Sequence, residues 1–211
     1  MASGLDTLIR LGAGLPLALQ CDHFYFLRHG QTARNVARIF QAVDEPLNDT
    51  GLAQARRAAG LLAREPLAGV VCSDALRARQ TAELVAAPHG LQPVATEALR
   101  ERNFGDLIGT SSAEIDWDCA PENGETLAQF MQRKQGALMS VLDRPGPVLV
   151  VAHGGSLFAL AAMLGVAVDM PLLANAHPLR IERRGPTWGI EALSPATPDR
   201  SPMPGDGAAI A

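Results

Sequence analysis

Four short segments of this chain carry side chains suited to one chemistry. FYFLRHGQTARN (24–35) ends an apolar, β-prone run abruptly on Arg28, His29 and Gly30. PVLVVAHGG (147–155) ends a second apolar run on His153, Gly154 and Gly155. Arg77 follows the apolar stretch GVVCS (69–73), and Glu101 sits in LRERNFG after a strand-like segment. A neutral imidazole near pH 7 is nucleophilic enough to attack phosphorus, and the phosphohistidine it forms is labile to water. Guanidinium forks match phosphate oxygens. Arginines and a second imidazole, fixed beforehand, stabilise the charge spread over a phosphoryl group in transfer. A carboxyl group must protonate the departing oxygen, and Glu101 is the best candidate.

Each group alone has an ordinary explanation: surface decoration, a tight turn, a solvated ion pair. What needs explaining is that all of them fall at one edge. The pattern predicts strands at His23–Arg28, Gly69–Ser73, LQPVAT and PVLVV, each followed by helical periodicity. LNDTGLAQARRAAGLLAREP reads as a helix capped by Asn48 or Asp49, with Leu52, Ala55, Ala59 and Leu62 on one face. DALRARQTAELVAAPHG, ETLAQFMQRKQGALMSVLDRPG and SLFALAAMLG read as further helices, and PLRIERR with TWGIEAL as a late hairpin about Gly185-Pro186. Alternating strands and helices predict an α/β fold: a three-layer α/β/α sandwich with a mostly parallel sheet. Ligands of such sheets bind outside the carboxyl ends of the strands, where helix N–H groups favour anions. Arg28-His29-Gly30, Ser73 and His153-Gly154-Gly155 all lie there.

With 211 residues, 47% of them hydrophobic, the chain suits one domain. A net charge of −4 without a basic run gives no sign of a nucleic-acid partner. No apolar run reaches a membrane-spanning length, so no membrane partner is expected. The three cysteines, Cys21, Cys72 and Cys119, have neither metal-type spacing nor an even count, which suits a reducing, cytoplasmic setting. Residues 1–22 read as an extension packing on the domain rather than an export signal. Residues 23–193 form the domain, with a small cap around 102–125, and 194–211 a flexible tail rich in proline.

The motifs LRHGQTARN, FQAVDEPLNDTG, CSDALRARQTAE, LRERNFGD, NGET and VVAHGGSL, in this order over about 24–192, resemble the histidine phosphatase superfamily, which includes cofactor-dependent phosphoglycerate mutases. The resemblance implies His29 as the residue phosphorylated, Arg28, Arg77 and His153 as the phosphate pocket, and Glu101 as proton donor. The family's arginine lies four residues after the serine, which selects Arg77 and leaves Arg79 on the helix surface. Thr32 and Asn35 match positions at the phosphate end; with Gln41 and Gly154 they are the substrate-binding candidates. No metal or organic cofactor is implied. The expected partner is a small phosphorylated metabolite, with a homodimer left open.

Three departures bear on the leaving group rather than on phosphoryl transfer. Ala42 stands where the family usually has glycine, and its methyl is expected to narrow the pocket or demand a different turn. Leu107-Ile108-Gly109 replaces an aromatic residue followed by Glu-Gly. Gly155 is common among the phosphatases, where mutases often carry asparagine. Glu101 and His153 are 52 positions apart, without the long basic insert of the mutases. Asp106, Glu114, Asp116, Asp118 and Glu122 fall in that interval without a Lys or Arg between Asp106 and Gly124. An acidic cap would repel a second anionic group. The expectation is a metal-independent phosphatase for a singly phosphorylated metabolite, with the mutase as the alternative.

Overall fold

The computed structural model describes residues 4–114 and 116–194, so all but the first residue of the expected tail lies outside the described residues. The strands are β1 (His23–Arg28), β2 (Gly69–Ser73), β3 (Val94–Thr96), β4 (Val148–Ala152), β5 (Pro178–Arg184) and β6 (Thr187–Ala192). They form one six-stranded sheet in the order β3-β2-β4-β1-β5-β6. The β3–β2, β2–β4 and β4–β1 pairs are parallel, and the terminal β5–β6 hairpin joins β1 antiparallel.

The helices are α1 (Gly4–Ala13), α2 (Ala33–Ala37), α3 (Asp49–Leu62), α4 (Leu76–Ala86), α5 (Leu127–Leu142) and α6 (Gly154–Leu164). The period-two alternation of the strands sorts the core into two layers. Phe24, Phe26, Val148 and Val150 pack with α1, α5 and α6. Tyr25, Leu27, Leu149 and Val151 pack with residues of α3 and α4 on the other face. Both faces are covered, which is why β1 and β4 read as continuous apolar runs. Asn48 caps α3 by accepting from the Gly51 N–H, settling the choice between Asn48 and Asp49.

Helix α1 lies within the expected extension, a stretch for which the sequence pattern specifies no element. Its inward face repeats at helical spacing, with Leu8 and Gly12 buried. It lies close against α6: a Cβ on Gly12 would stand 2.4 Å from the Ala162 Cβ.

The register of β1 against β4 decides which side chains meet at the sheet's carboxyl edge. Arg28 pairs with Ala152, and the His29 N–H donates to the Ala152 carbonyl at 2.9 Å. The next residues on the two strands, His29 and His153, therefore emerge side by side. Gly30 then passes against the first turn of α3, where a Cβ would stand 2.5 Å from the Gly51 carbonyl oxygen. A Cβ on Gly51 would in turn lie 2.1 Å from the Gln31 oxygen. Both obstacles are backbone, so neither can move aside cheaply. We expect Gly51→Ala to cost about 1–3 kcal/mol of stability, read from the urea midpoint; an unchanged midpoint contradicts this packing.

Candidate active site

Arg28, His29, Asn35, Gln41, Arg77, Glu101, His153 and Gly154 line one cleft of about 340 Å³ at the carboxyl edge of the sheet. The two imidazoles lie with ring centroids 5.2 Å apart. His29 is held from several sides: Asn175 Nδ2 donates to its carbonyl at 2.9 Å, and the following Gly30 N–H donates to Thr81 Oγ1 at 3.1 Å. Burial, then the nearby Arg77 and Arg28 charges, holds the His29 pKa well below the usual histidine range. The ring is therefore neutral at pH 7. Its Nδ1 faces the Gly30 carbonyl at 2.7 Å, and a carbonyl only accepts, so Nδ1 carries the proton and Nε2 the lone pair.

The clamp surrounds this nucleophile. Arg28 Nη1 donates to the Leu173 carbonyl at 2.6 Å and Arg77 Nη1 to the Ala42 carbonyl at 2.8 Å. Burial lowers both guanidinium pKa values, that of Arg77 to about 10, and leaves both charged at neutral pH. Burial and the same arginines hold His153 well below its usual pKa. Arg28 Nε, Arg77 Nε and both ring nitrogens of His153 are buried and make no hydrogen bond to the described residues. Buried polar groups are almost always partnered. These nitrogens, on residues that line one cleft beside the start of α6, are what a tetrahedral oxyanion would satisfy. Arg79 lies outside on the helix surface, facing Glu83.

Glu101 reaches the same edge from the segment after β3. Its Oε2 accepts from the Gly155 N–H at 2.7 Å and its Oε1 from the Arg102 N–H at 3.0 Å. Two backbone donors thus fix one carboxyl group in the wall of the cleft that the imidazoles also line. A Cβ on Gly155 would stand 2.5 Å from Glu101 Oε1, which gives the glycine a local reason: it leaves room for the acid.

Three expectations need correction. Thr32 does not line the cleft. It is fully buried as the cap of α2, accepting from the Asn35 N–H and donating to Gln41 Oε1 at 3.0 Å, so it positions two lining residues instead. Ala42 demands no unusual turn, since its φ is not positive; its carbonyl holds Arg77. The five acidic residues of the cap are exposed and none lines the cleft. Asp106 holds Asn123, and Asp118 accepts from Thr7. The repulsion expected of an acidic cap therefore has no basis at the cleft wall.

Other contributors were not singled out from the sequence. Arg102 fixes the cap by donating to the carbonyls of Glu125, Trp117 and Cys119. Arg133 binds the Glu125 carboxylate and the carbonyls of Ala98, Arg100 and Glu101. Lys134 is fully buried beneath the Glu101 segment and donates to the Leu99 carbonyl at 2.7 Å. Its place between Phe130 and Leu138, on the apolar face of α5, was the available signal.

Residues 24–194 match the family model of the histidine phosphatase superfamily (branch 1). A 2,3-bisphosphoglycerate-dependent phosphoglycerate mutase of Azorhizobium caulinodans is 37% identical over 163 residues, 65% of this chain and 79% of that protein. An agropine synthesis reductase of Rhizobium rhizogenes is 34% identical over 200 residues, 89% of this chain; the chain spans only 46% of that relative's length. A mycobacterial glucosyl-3-phosphoglycerate phosphatase solved with VO3 shares 29% identity at a TM-score of 0.68, covering 81% of this chain and 98% of that one. An alpha-ribazole phosphatase from Shigella flexneri shares 27% identity at a TM-score of 0.67, covering 81% and 95%.

The site geometry makes two outcomes measurable. In Gly155→Ala the added methyl displaces the Glu101 carboxyl group, a movable side-chain end, so kcat for a phosphomonoester should fall roughly 10- to 100-fold with the fold intact by circular dichroism. Unchanged kcat would separate Glu101 from the chemistry. Lys134 titrates near 7 in the fold, lowered by burial, against 10.5 for a free lysine. Between those values the unfolded chain binds more protons, so this group's contribution to stability rises with pH across that window and is least favourable below it. Urea midpoints of wild type and Lys134→Met should therefore shift relative to one another in favour of the wild type as pH rises from 6 to 10; a constant difference contradicts the assignment.

Proposed function

The chain belongs to the histidine phosphatase superfamily, and from that premise we propose that it is a phosphatase hydrolysing a small phosphomonoester through a phosphohistidine on His29, without a metal ion. The observation that carries this reading is the convergence of buried, unpartnered nitrogens of Arg28, Arg77 and His153 around a neutral His29, with Glu101 fixed in the wall of the same cleft.

The substrate phosphoryl group would sit among Arg28, Arg77, His153 and the first turn of α6. His29 Nε2 attacks phosphorus in line, the P–O ester bond breaks, and the leaving oxygen takes its proton from Glu101. The Glu101 carboxylate then removes a proton from water. The water oxygen bonds to phosphorus, the N–P bond breaks, and inorganic phosphate leaves with His29 regenerated. The arginines stabilise equatorial oxygen charge in both steps from positions already fixed by Leu173 and Ala42.

The mutase-named relative from Azorhizobium favours a second reading, in which the phosphoryl group returns to a bound phosphoglycerate instead of passing to water. The phosphatase-named structural neighbours, which the chain covers almost to their full length, favour hydrolysis.

We expect His29→Ala to abolish release of phosphate from p-nitrophenyl phosphate, and the wild type to retain its rate in EDTA. Substantial turnover by His29→Ala rejects the nucleophile, loss of activity in EDTA rejects metal independence, and isomerisation stimulated by 2,3-bisphosphoglycerate selects the mutase.

A further inference from the structure

Beyond the phosphate clamp the cleft changes character. Its remaining wall carries the rings of Phe40, Phe104, Trp117 and Phe158, with Met170 and Leu173 beside them. Phe40 and Phe104 stack with centroids 4.3 Å apart, and Trp117 meets Phe104 edge-on at 6.1 Å. The three arginines beyond the clamp are engaged: Arg34 pairs with Glu45 at 3.0 Å, Arg38 donates to the Ala113 carbonyl at 2.8 Å, and Arg102 donates to the carbonyls of Glu125, Trp117 and Cys119. The surface presented to a leaving group is thus mainly aromatic, with Ser112 among its polar members.

Trp117 joins this wall to the chemistry. Its Cη2 lies 3.0 Å from where a Cβ on Gly155 would stand, so the indole reaches the Gly155–Glu101 pair. Its carbonyl accepts from Arg102 Nη1 at 2.6 Å. Its backbone rests on α1: a Cβ on Gly4 would stand 2.3 Å from Trp117 Cβ and 3.0 Å from its Cα. Thr7 Oγ1 donates to Asp118 Oδ2 at 3.2 Å. The same helix is seated on α6 through Gly12 against Ala162, and α6 begins with the site's Gly154 and Gly155. Yet α1 precedes the family match, which starts at residue 24.

We propose that Trp117 is a specificity-determining residue whose indole packs against an aromatic or similarly flat apolar leaving group, and that the N-terminal helix α1 positions it. The proposal rests on the reading that the clamp holds the phosphoryl group. The two contacts of α1 with Trp117 and Asp118 set how near the indole stands to Glu101. The preferred substrate is therefore a phosphomonoester bearing a ring next to the phosphate rather than a short polar chain. The helix outside the family match supplies the selectivity that the phosphate clamp, identical for every phosphomonoester, cannot.

The test uses non-hydrolysable phosphonates and full-length protein. By calorimetry the wild type should bind phenylphosphonate about tenfold more tightly than methylphosphonate, the scale of one good aromatic contact. That ratio should fall toward one in Trp117→Ala, return in Trp117→Phe, and fall partway in Gly4→Val, with no additional loss in the double variant Gly4→Val/Trp117→Ala. A second readout needs no change at Trp117: in Trp188→Phe, where Trp117 is the remaining tryptophan, phenylphosphonate should shift the emission and methylphosphonate should not. A wild-type ratio near one, a ratio that survives Trp117→Ala, or unresponsive Trp117 emission overturns the proposal. An unchanged ratio in folded Gly4→Val overturns the part assigned to α1. Failure of the phosphatase reading is separate: discrimination between phosphonates without hydrolysis of p-nitrophenyl phosphate supports the wall and rejects the hydrolase, and hydrolysis without discrimination does the reverse.

Discussion

Parallel pairing of β1 with β4, with Arg28 opposite Ala152, is the constraint on which the site depends. It brings together two imidazoles supplied by distant parts of the chain. A slip of one residue in that pairing would turn each strand's buried side chains to the opposite face and carry His29 away from His153. The register is secured because both faces of both strands are buried, so no alternative pairing keeps Phe24 and Phe26 in one layer and Tyr25 and Leu27 in the other. The apolar core and the catalytic edge are thus one structure: the side chains that fix the register end where the reactive ones begin.

Burial then determines charge. The two histidines are held neutral because a buried imidazolium beside two guanidinium groups would be doubly penalised, by lost solvation and by like charge. The arginines stay charged under the same burial because their intrinsic basicity is far higher. One enclosure therefore holds a neutral nucleophile and cationic clamps at the same pH. Glu101 is fixed by two backbone N–H groups rather than by an ion pair with the clamp, so its carboxyl group keeps a defined place in the cleft wall. Gly155 serves this arrangement twice, as a donor and by the absence of a side chain.

Around this edge the fold adds parts by tethering irregular chain to regular elements. Arg102 gathers three cap carbonyls, Arg133 gathers three more beside Glu101, and Ile39 bridges to Ser111. A guanidinium has five donors in a rigid plane, which suits it to organising loop carbonyls that no strand or helix can satisfy. The leaving-group wall is built largely this way: Phe158 comes from α6, and Phe40, Phe104 and Trp117 from segments of little periodicity.

The sequence by itself determined the order of the strands and of helices α3 to α6, the placement of Arg28, His29, Arg77, Glu101 and His153 at strand ends and the turns beyond them, and the choice of Arg77 over Arg79. These were legible because apolar runs that stop on charged residues, and motifs of fixed spacing, are local signals. Thr32 was misplaced because a motif position does not tell whether a hydroxyl faces the ligand or caps a helix. The acidic cap was misread because turns without periodicity give no facing: five carboxylates in a row of sequence all turned outward. Lys134, Trp117 and the helix that braces it acquired meaning only in the tertiary structure. Their roles rest on contacts between segments far apart in the chain, and such contacts are selected by packing across the whole fold rather than by any neighbour in sequence.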